Sequence, residues 1–413
     1  MASESGLEEL NFVLIPLLAA IHIIPVVDMA KLLTQRGVTV TLVMTPLNAI
    51  RFTAVIDLAV GSGLLIRVLE LQFPAKEAGL PEGCESVDVL PGVAYRRNSF
   101  IAVDMLQDQA EKSLAEMKSK PSCIISNMQS FFYGMSCFNQ LCVHNLYIMK
   151  DKKNPESGPF VITDLPDRIE VTKAQLPGHF NPAPTLCAQD IWDKIRAAET
   201  RAYGVLIHTF EELEQWYVDK FGKLKDGRVW CIGPLSLCNN DNIDKAQRWN
   251  KDSCDKKECL KWLDSWQPES VVYACLGSRN HTTVVQFMEL ALGLYKIWGN
   301  TSTNRELDIG KWIRRKNKRK RVLIRGCAPQ VLILSHPEIG GFLTHCVLNE
   351  RFLVHVLKTG VSVGSHEVVH FGEEEKFEVQ VRKEEITKAI RATMDKEKEG
   401  KEPKKLDKLQ KKQ

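Results

Sequence analysis

Several common signatures of nucleotide enzymes are absent from this sequence. No G-x-x-x-x-G-K-[ST] phosphate loop occurs in its 413 residues. No G-x-G-x-x-G follows the first apolar run, where a dinucleotide-binding fold places it. The turn there reads AAIH, and Gly61 and Gly63 lack a third glycine. These gaps weigh against an NTPase and against a dehydrogenase. The first ten residues, MASESGLEEL, lack the positive charge of a signal peptide. The apolar run from Leu10 to Val27 is long enough for a bilayer but holds Asn11, Pro16, His22 and Pro25. A strand followed by a helix explains it better, so no membrane span is expected. Charge of one sign is also scarce: the net charge is +4, too small to point to nucleic acid or a membrane surface. The basic run Lys311 to Arg321 has one aromatic partner, Trp312, and reads as a solvated loop. No two of the 12 cysteines form a C-x-x-C pair, and no histidine stands at finger-like spacing beside them. Reduced thiols in a cytoplasmic protein without a bound metal are expected.

The residues that are present follow an α/β grammar. Asn11 to Leu18 is continuously apolar, as a strand buried on both faces requires. Ala19 to His22 reads as a turn, Ile23 to Leu33 as a helix with Pro25 in its first turn, and Val38 to Met44 as the next strand. Strand, helix, strand argues a parallel pair joined by a right-handed crossover. Strands are also expected at Ser122–Ser126, Gly204–His208, Val229–Ile232, Ser270–Leu276, Arg321–Ile324 and Gly340–Thr344. Helices are expected at Lys256–Trp266, Gln286–Trp298 and Gln330–Leu334. The polar stretch 241–255 suits a linker. The expected organisation is an N-terminal domain over 1–240, a C-terminal domain over 256–395 and a lysine-rich disordered tail over 396–413. His22 lies where the first strand meets its helix, the edge at which parallel sheets bind ligands. An imidazole titrates near neutrality and serves as a general base. A helix-start histidine without a chemical role fits the same position.

The strings FVLIPLLAAIHIIPVVDMAKLLTQRGVTVTLVMTPLNAIRF, YGVLIHTFEELE, VWCIGPLSLC, CLKWLDSWQPESVVYACLGS and CAPQVLILSHPEIGGFLTHC carry more information together. They resemble the plant UDP-sugar-dependent glycosyltransferases that decorate small molecules. The resemblance implies two Rossmann-like doubly wound domains facing a cleft, the GT-B arrangement. The N-terminal half takes the acceptor and the C-terminal half takes the UDP-sugar. The implied reaction is an inverting transfer of a hexose, glucose, to a hydroxyl of a small hydrophobic plant metabolite. UDP-sugar is then a co-substrate, no cofactor or metal is used, and a monomer is expected.

The site residues come from the same resemblance. His22 matches the catalytic base. Asn127, in CIISN, stands where the family has the Asp that orients this base. Asn accepts the imidazole hydrogen bond but cannot stabilise imidazolium by charge. The same change in the serine-protease triad costs about 10⁴ in rate. Ser278 matches a phosphate contact, and Ala328 and Gln330 match contacts to uracil and ribose. His345 matches the residue that meets the diphosphate. Cys327 replaces a Trp that stacks on uracil, a contact worth about 1 kcal/mol or more. Asn349 is retained, whereas Glu350 replaces a phosphate-facing Ser, and a carboxylate repels a diphosphate. Both domains are incomplete. One helix–strand step is missing after Asn127-Met128. After Glu350 the family residues that bind ribose and the sugar hydroxyls are missing too. These departures support a second expectation, an impaired or inactive relative that binds ligand weakly.

Overall fold

The computed structural model describes residues 10–126, 136–150, 158–176, 180, 189–235, 256–275, 283–298, 324, 328, 330–344, 347–365 and 379–394. The chain opens with β1 (Asn11–Ile15), α1 (Ala20–Thr34), β2 (Thr39–Met44), α2 (Pro46–Gly61) and β3 (Ile66–Glu70). Helices α3 (Arg96–Asp104) and α4 (Gln107–Glu116) lead into β4 (Cys123–Ser126). Next come α5 (Cys137–Lys150), the strands β5 (Pro159–Ile162) and β6 (Ile169–Thr172), α6 (Gln189–Arg201), β7 (Val205–Ile207), α7 (Glu211–Leu224) and β8 (Val229–Cys231). The C-terminal part holds α8 (Lys256–Leu263), β9 (Val271–Ala274), α9 (Val284–Trp298), α10 (Gln330–Leu334), β10 (Ile339–Leu343), α11 (Val347–Arg351) and α12 (Lys383–Met394).

The chain divides into two compact units that interleave along the sequence. One is Met1–Gly134, Ala188–His208 and Ile232–Arg248; the other is Met135–Cys187, Thr209–Cys231 and Trp249–Gln413. The expected linker 241–255, the tail 396–413 and the basic run Lys311 to Arg321 lie outside the described residues.

In the first unit the strands run in the order β3-β2-β1-β4, all parallel. Every residue of β2 is buried, because this inner strand is covered on both faces. Alternation sends Leu14, Val40 and Leu42 into a core with Ile23, Val27 and Phe52 from α1 and α2. Val13 and Val43 face the other side, against Leu106, Val103 and Leu114 from α3, α4 and the turn between them. Burying each such aliphatic side chain stabilises the unit by about 2 kcal/mol.

The second unit holds the parallel pair β9–β10, with Phe342 opposite Tyr273 and Leu343 opposite Ala274. Helices α9 and α12 share a core of Leu290, Ile386 and Ile390, which packs on Val272 and Leu343 of the two strands. The hairpin β5–β6 is antiparallel. Helix α1 starts at Ala20, three residues earlier than its sequence suggests. His22 is therefore inside the first helical turn, and Pro25 is inside the helix rather than at its start.

Candidate functional site

The first unit presents His22 at the C-terminal edge of its sheet. β1 ends at Ile15, and Ala19 is extended (φ −151°, ψ 140°) before the helix begins. The His22 and Ile23 amides both donate to the Ala19 carbonyl, at 2.9 and 3.0 Å. The histidine is 6% exposed. The loop after β3 packs against this turn. Asp88 Oδ1 accepts the Ala20 N–H at 3.0 Å, and Arg51 Nη1 lies 2.6 Å from Asp88 Oδ2. Burial pushes the Asp88 carboxyl up. Hydrogen bonds from Ser86, Arg51 and the Ala20 amide, with the Arg51 charge, outweigh that and hold it below its ordinary value. Beside the same turn Leu17, Leu18, Phe73, Val87 and Phe100 line a shallow concavity together with Glu85, Ser86 and Ser99, too tight to hold a ligand as it stands.

The second unit places its candidate residues at the C-terminal edge of β9–β10. Gln330 begins α10, and its Nε2 donates to Cys275 Sγ, just past β9, at 3.0 Å. Ala328 is buried with Cys259, Leu263, Val271 and Ile333. It has no side-chain polar group, so a uracil contact there is a backbone contact. Asn349 and Glu350 lie on α11, which follows β10. Asn139 Nδ2 donates to Asn349 Oδ1 at 2.7 Å. That bond engages the Asn349 amide oxygen. Glu350 Oε1 lies 3.2 Å from Arg351 Nη1, and Arg351 Nη2 also reaches Gln175 Oε1 at 3.3 Å. Asn127, Ser278, Cys327 and His345 lie outside the described residues.

Two polar residues escaped the sequence reading. Asp88 is one. The other is Glu214, 3% exposed, on α7. Its carboxylate accepts the Cys137 and Phe138 amides at 3.1 and 2.8 Å, at the start of α5, and the Thr209 hydroxyl. The acidic start of α7 was visible in TFEELE; which of its carboxylates turns inward was not. The string GVSVG, Gly360 to Gly364, matches G-x-S-x-G. It lies in irregular chain, where Ser362 Oγ accepts the Gly364 N–H at 3.1 Å, and not on a strand-to-helix elbow. Among the described residues no three His, Cys, Asp or Glu side chains are grouped to hold a metal. Among them, too, no helix is long and apolar enough to cross a membrane.

A scan against protein-family models finds no match. UDP-glycosyltransferase 73C3 of Arabidopsis thaliana is 41% identical over 438 aligned positions, which cover 93% of this chain and 88% of that protein. The chain belongs to the plant UDP-glycosyltransferases. The alignment is longer than this glycosyltransferase's 413 residues, so the relative has internal residues without a counterpart here. The crystal structure of Glycyrrhiza uralensis UGT73P12 with glycyrrhetinic acid 3-O-monoglucuronide superposes with a TM-score of 0.81 at 29% identity. It covers 97% of this glycosyltransferase and 89% of that chain. Medicago truncatula UGT71G1, solved with UDP-glucose, has a TM-score of 0.67 at 19% identity over 98% of this chain and 93% of that one, and shares the fold. The fold is GT-B with Rossmann-like α/β halves, and the reaction class is glycosyl transfer from a UDP-sugar.

Proposed function

We propose that this glycosyltransferase is organised to move glucose from UDP-glucose to a hydroxyl of a small, hydrophobic plant metabolite, with inversion at the anomeric carbon. In this reading His22 takes the acceptor's proton while the acceptor oxygen attacks that carbon. The bond from the carbon to the diphosphate oxygen breaks, and UDP leaves with its electron pair. The carrying observation is the place of His22, in the first turn of α1 at the C-terminal edge of a parallel sheet. Gln330 and Asn349 meet the donor, with Ser278, His345 and the Ala328 backbone in the roles their motif positions imply. Residues 1–240 take the acceptor and 256–395 the donor. UDP-sugar is a co-substrate in this reading, no cofactor enters it, and the protein works as a cytoplasmic monomer.

Glu350 favours a second reading, an impaired relative. It places a carboxylate on the short helix after β10, beside the position read as a diphosphate site. Asn127, Cys327 and the missing internal residues point the same way, and together they favour weak turnover. Titration calorimetry with UDP-glucose, followed by UDP release with flavonoid and triterpenoid acceptors, separates the readings. UDP release that disappears in His22→Ala establishes the transferase. Absence of any UDP binding refutes it.

A further inference from the structure

A helix that carries a reacting group has to hold that group still, and α1 lacks the usual local means. Its N-cap position is Ala19, which has no side-chain acceptor, and no acidic residue stands in its first turn. The cap of α2 is similar, because Thr45 makes no side-chain cap bond. One segment, Glu85 to Asp88, serves both helix ends from a distance. Asp88 Oδ1 accepts the Ala20 N–H at 3.0 Å across 68 residues of sequence. Glu85 Oε2 accepts the Leu47 N–H at 2.8 Å, and the Glu85 carbonyl accepts Asn48 Nδ2 at 3.0 Å. The same segment holds the turn before α1. The Val87 N–H donates to the Leu18 carbonyl at 2.9 Å. Ser86 Oγ lies 3.1 Å from that carbonyl and also meets the Asp88 carboxylate. Arg51, from α2, completes the set on Asp88 Oδ2. Asp88 thus ties the end of α1 to the body of α2.

We propose that Asp88 is a positioning residue for glycosyl transfer: it fixes the first turn of α1, two residues before His22, so that the imidazole keeps one orientation toward the acceptor oxygen. The inference rests on the reading of His22 as the base. The chain of contacts is short. Asp88 holds the Ala20 amide, and the Ala19 carbonyl accepts the amides of His22 and Ile23. A shift of Ala20 therefore carries His22 with it. A base misplaced by about 1 Å costs on the order of 10²-fold in rate. A cap with a purely structural role lowers stability and leaves kcat where it was.

The test uses the full chain, with Asp88→Ala and Asp88→Asn. The His22 imidazole Cε1–H signal is assigned by its loss in His22→Gln, and kcat and KM are read from UDP release. In Asp88→Ala the His22 signal is expected to shift or split while the other histidine signals stay. kcat is expected to fall about 10-fold or more with KM for UDP-glucose unchanged. Asp88→Asn keeps an acceptor for the Ala20 amide and should recover part of both; it also serves where Asp88→Ala does not fold. A folded variant with wild-type kcat overturns the proposal, whatever the signal does. Where the wild type shows no turnover, an unmoved His22 signal overturns it alone. His22→Ala at wild-type kcat removes the base reading instead, and the signal still reports whether Asp88 holds the ring.

Discussion

Asp88 is half-buried and Glu214 fully buried, and their surroundings drive the two carboxylates in opposite directions. For Glu214, burial pushes the carboxyl up from its ordinary value of 4.5, and bonds from Thr209, Phe138 and Cys137 only partly offset it. For Asp88, burial is outweighed by bonds from Ser86, Arg51 and Ala20 and by the Arg51 charge. The signs of linkage therefore differ. The Asp88 contribution is full above its ordinary value of 3.8 and is lost as pH falls through its folded value. The Glu214 contribution is full below 4.5 and is lost as pH rises through its folded value. Denaturant unfolding from pH 3 to 8 should show this. The advantage of wild type over Asp88→Asn should fade toward acid, and that over Glu214→Gln should shrink toward neutrality. Slopes of one sign for both variants would contradict the assignment. At fixed pH, Glu214→Ala strands two amides and a hydroxyl and should cost about 2–4 kcal/mol. The place of His22 was legible in the sequence because it interrupts an apolar run at a strand–helix junction. Asp88 was not, because its partner Ala20 lies 68 residues away and nothing local marks the pair.

Strands written as apolar runs were the readable elements. β1, β2, β9 and β10 appear within a few residues of their expected bounds, since continuous apolar runs have few other uses. The hairpin β5–β6 was missed: its strands have four residues each, too few for alternation to register. α12 was missed because KEEITKAIRATM is mostly charged or small, with its apolar side reduced to Ile386, Ala389 and Ile390. Its existence depends on α9. Gln286 Nε2 donates to the Val381 carbonyl at 2.9 Å, and Glu289 Oε2 accepts the Lys383 N–H at 2.6 Å. The helices meet at Gly293, where an added Cβ would lie 2.8 Å from Ile386 Cβ and Cγ2 and 3.1 Å from the Lys383 carbonyl. Helix propensity alone favours Ala over Gly by about 1 kcal/mol. Both atoms of Ile386 nearest that position lie at its branch point and cannot swing aside, so the steric term should prevail. Gly293→Ala is expected to destabilise by about 1–3 kcal/mol, read as a lowered Tm. A raised Tm would show that α12 can slide along α9.

At the scale of the whole molecule, two compact units interleaved in one chain set what a stability measurement means. Each unit has its own core: Leu14, Ile23 and Leu42 with their neighbours in one, Leu290, Ile386 and Ile390 in the other. A chain of this kind need not unfold in one step. Calorimetry should resolve two transitions, and single variants should assign them. Asp88→Ala belongs to the first unit and should lower only one transition; Glu214→Ala belongs to the second and should lower only the other. UDP supplies the functional marker. Gln330, Asn349 and Glu350 all lie in the second unit, so UDP should raise the transition that Glu214→Ala lowers. At a hundredfold excess over Kd the shift corresponds to about 2.7 kcal/mol. If the proposed donor site holds, Glu350→Ser should enlarge the shift by lowering Kd, because it removes a carboxylate from the position proposed to meet the diphosphate, and added salt should shrink that gain. A UDP shift confined to the transition marked by Asp88→Ala would place the donor in the wrong half of the chain and undo the assignment of Gln330 and Asn349.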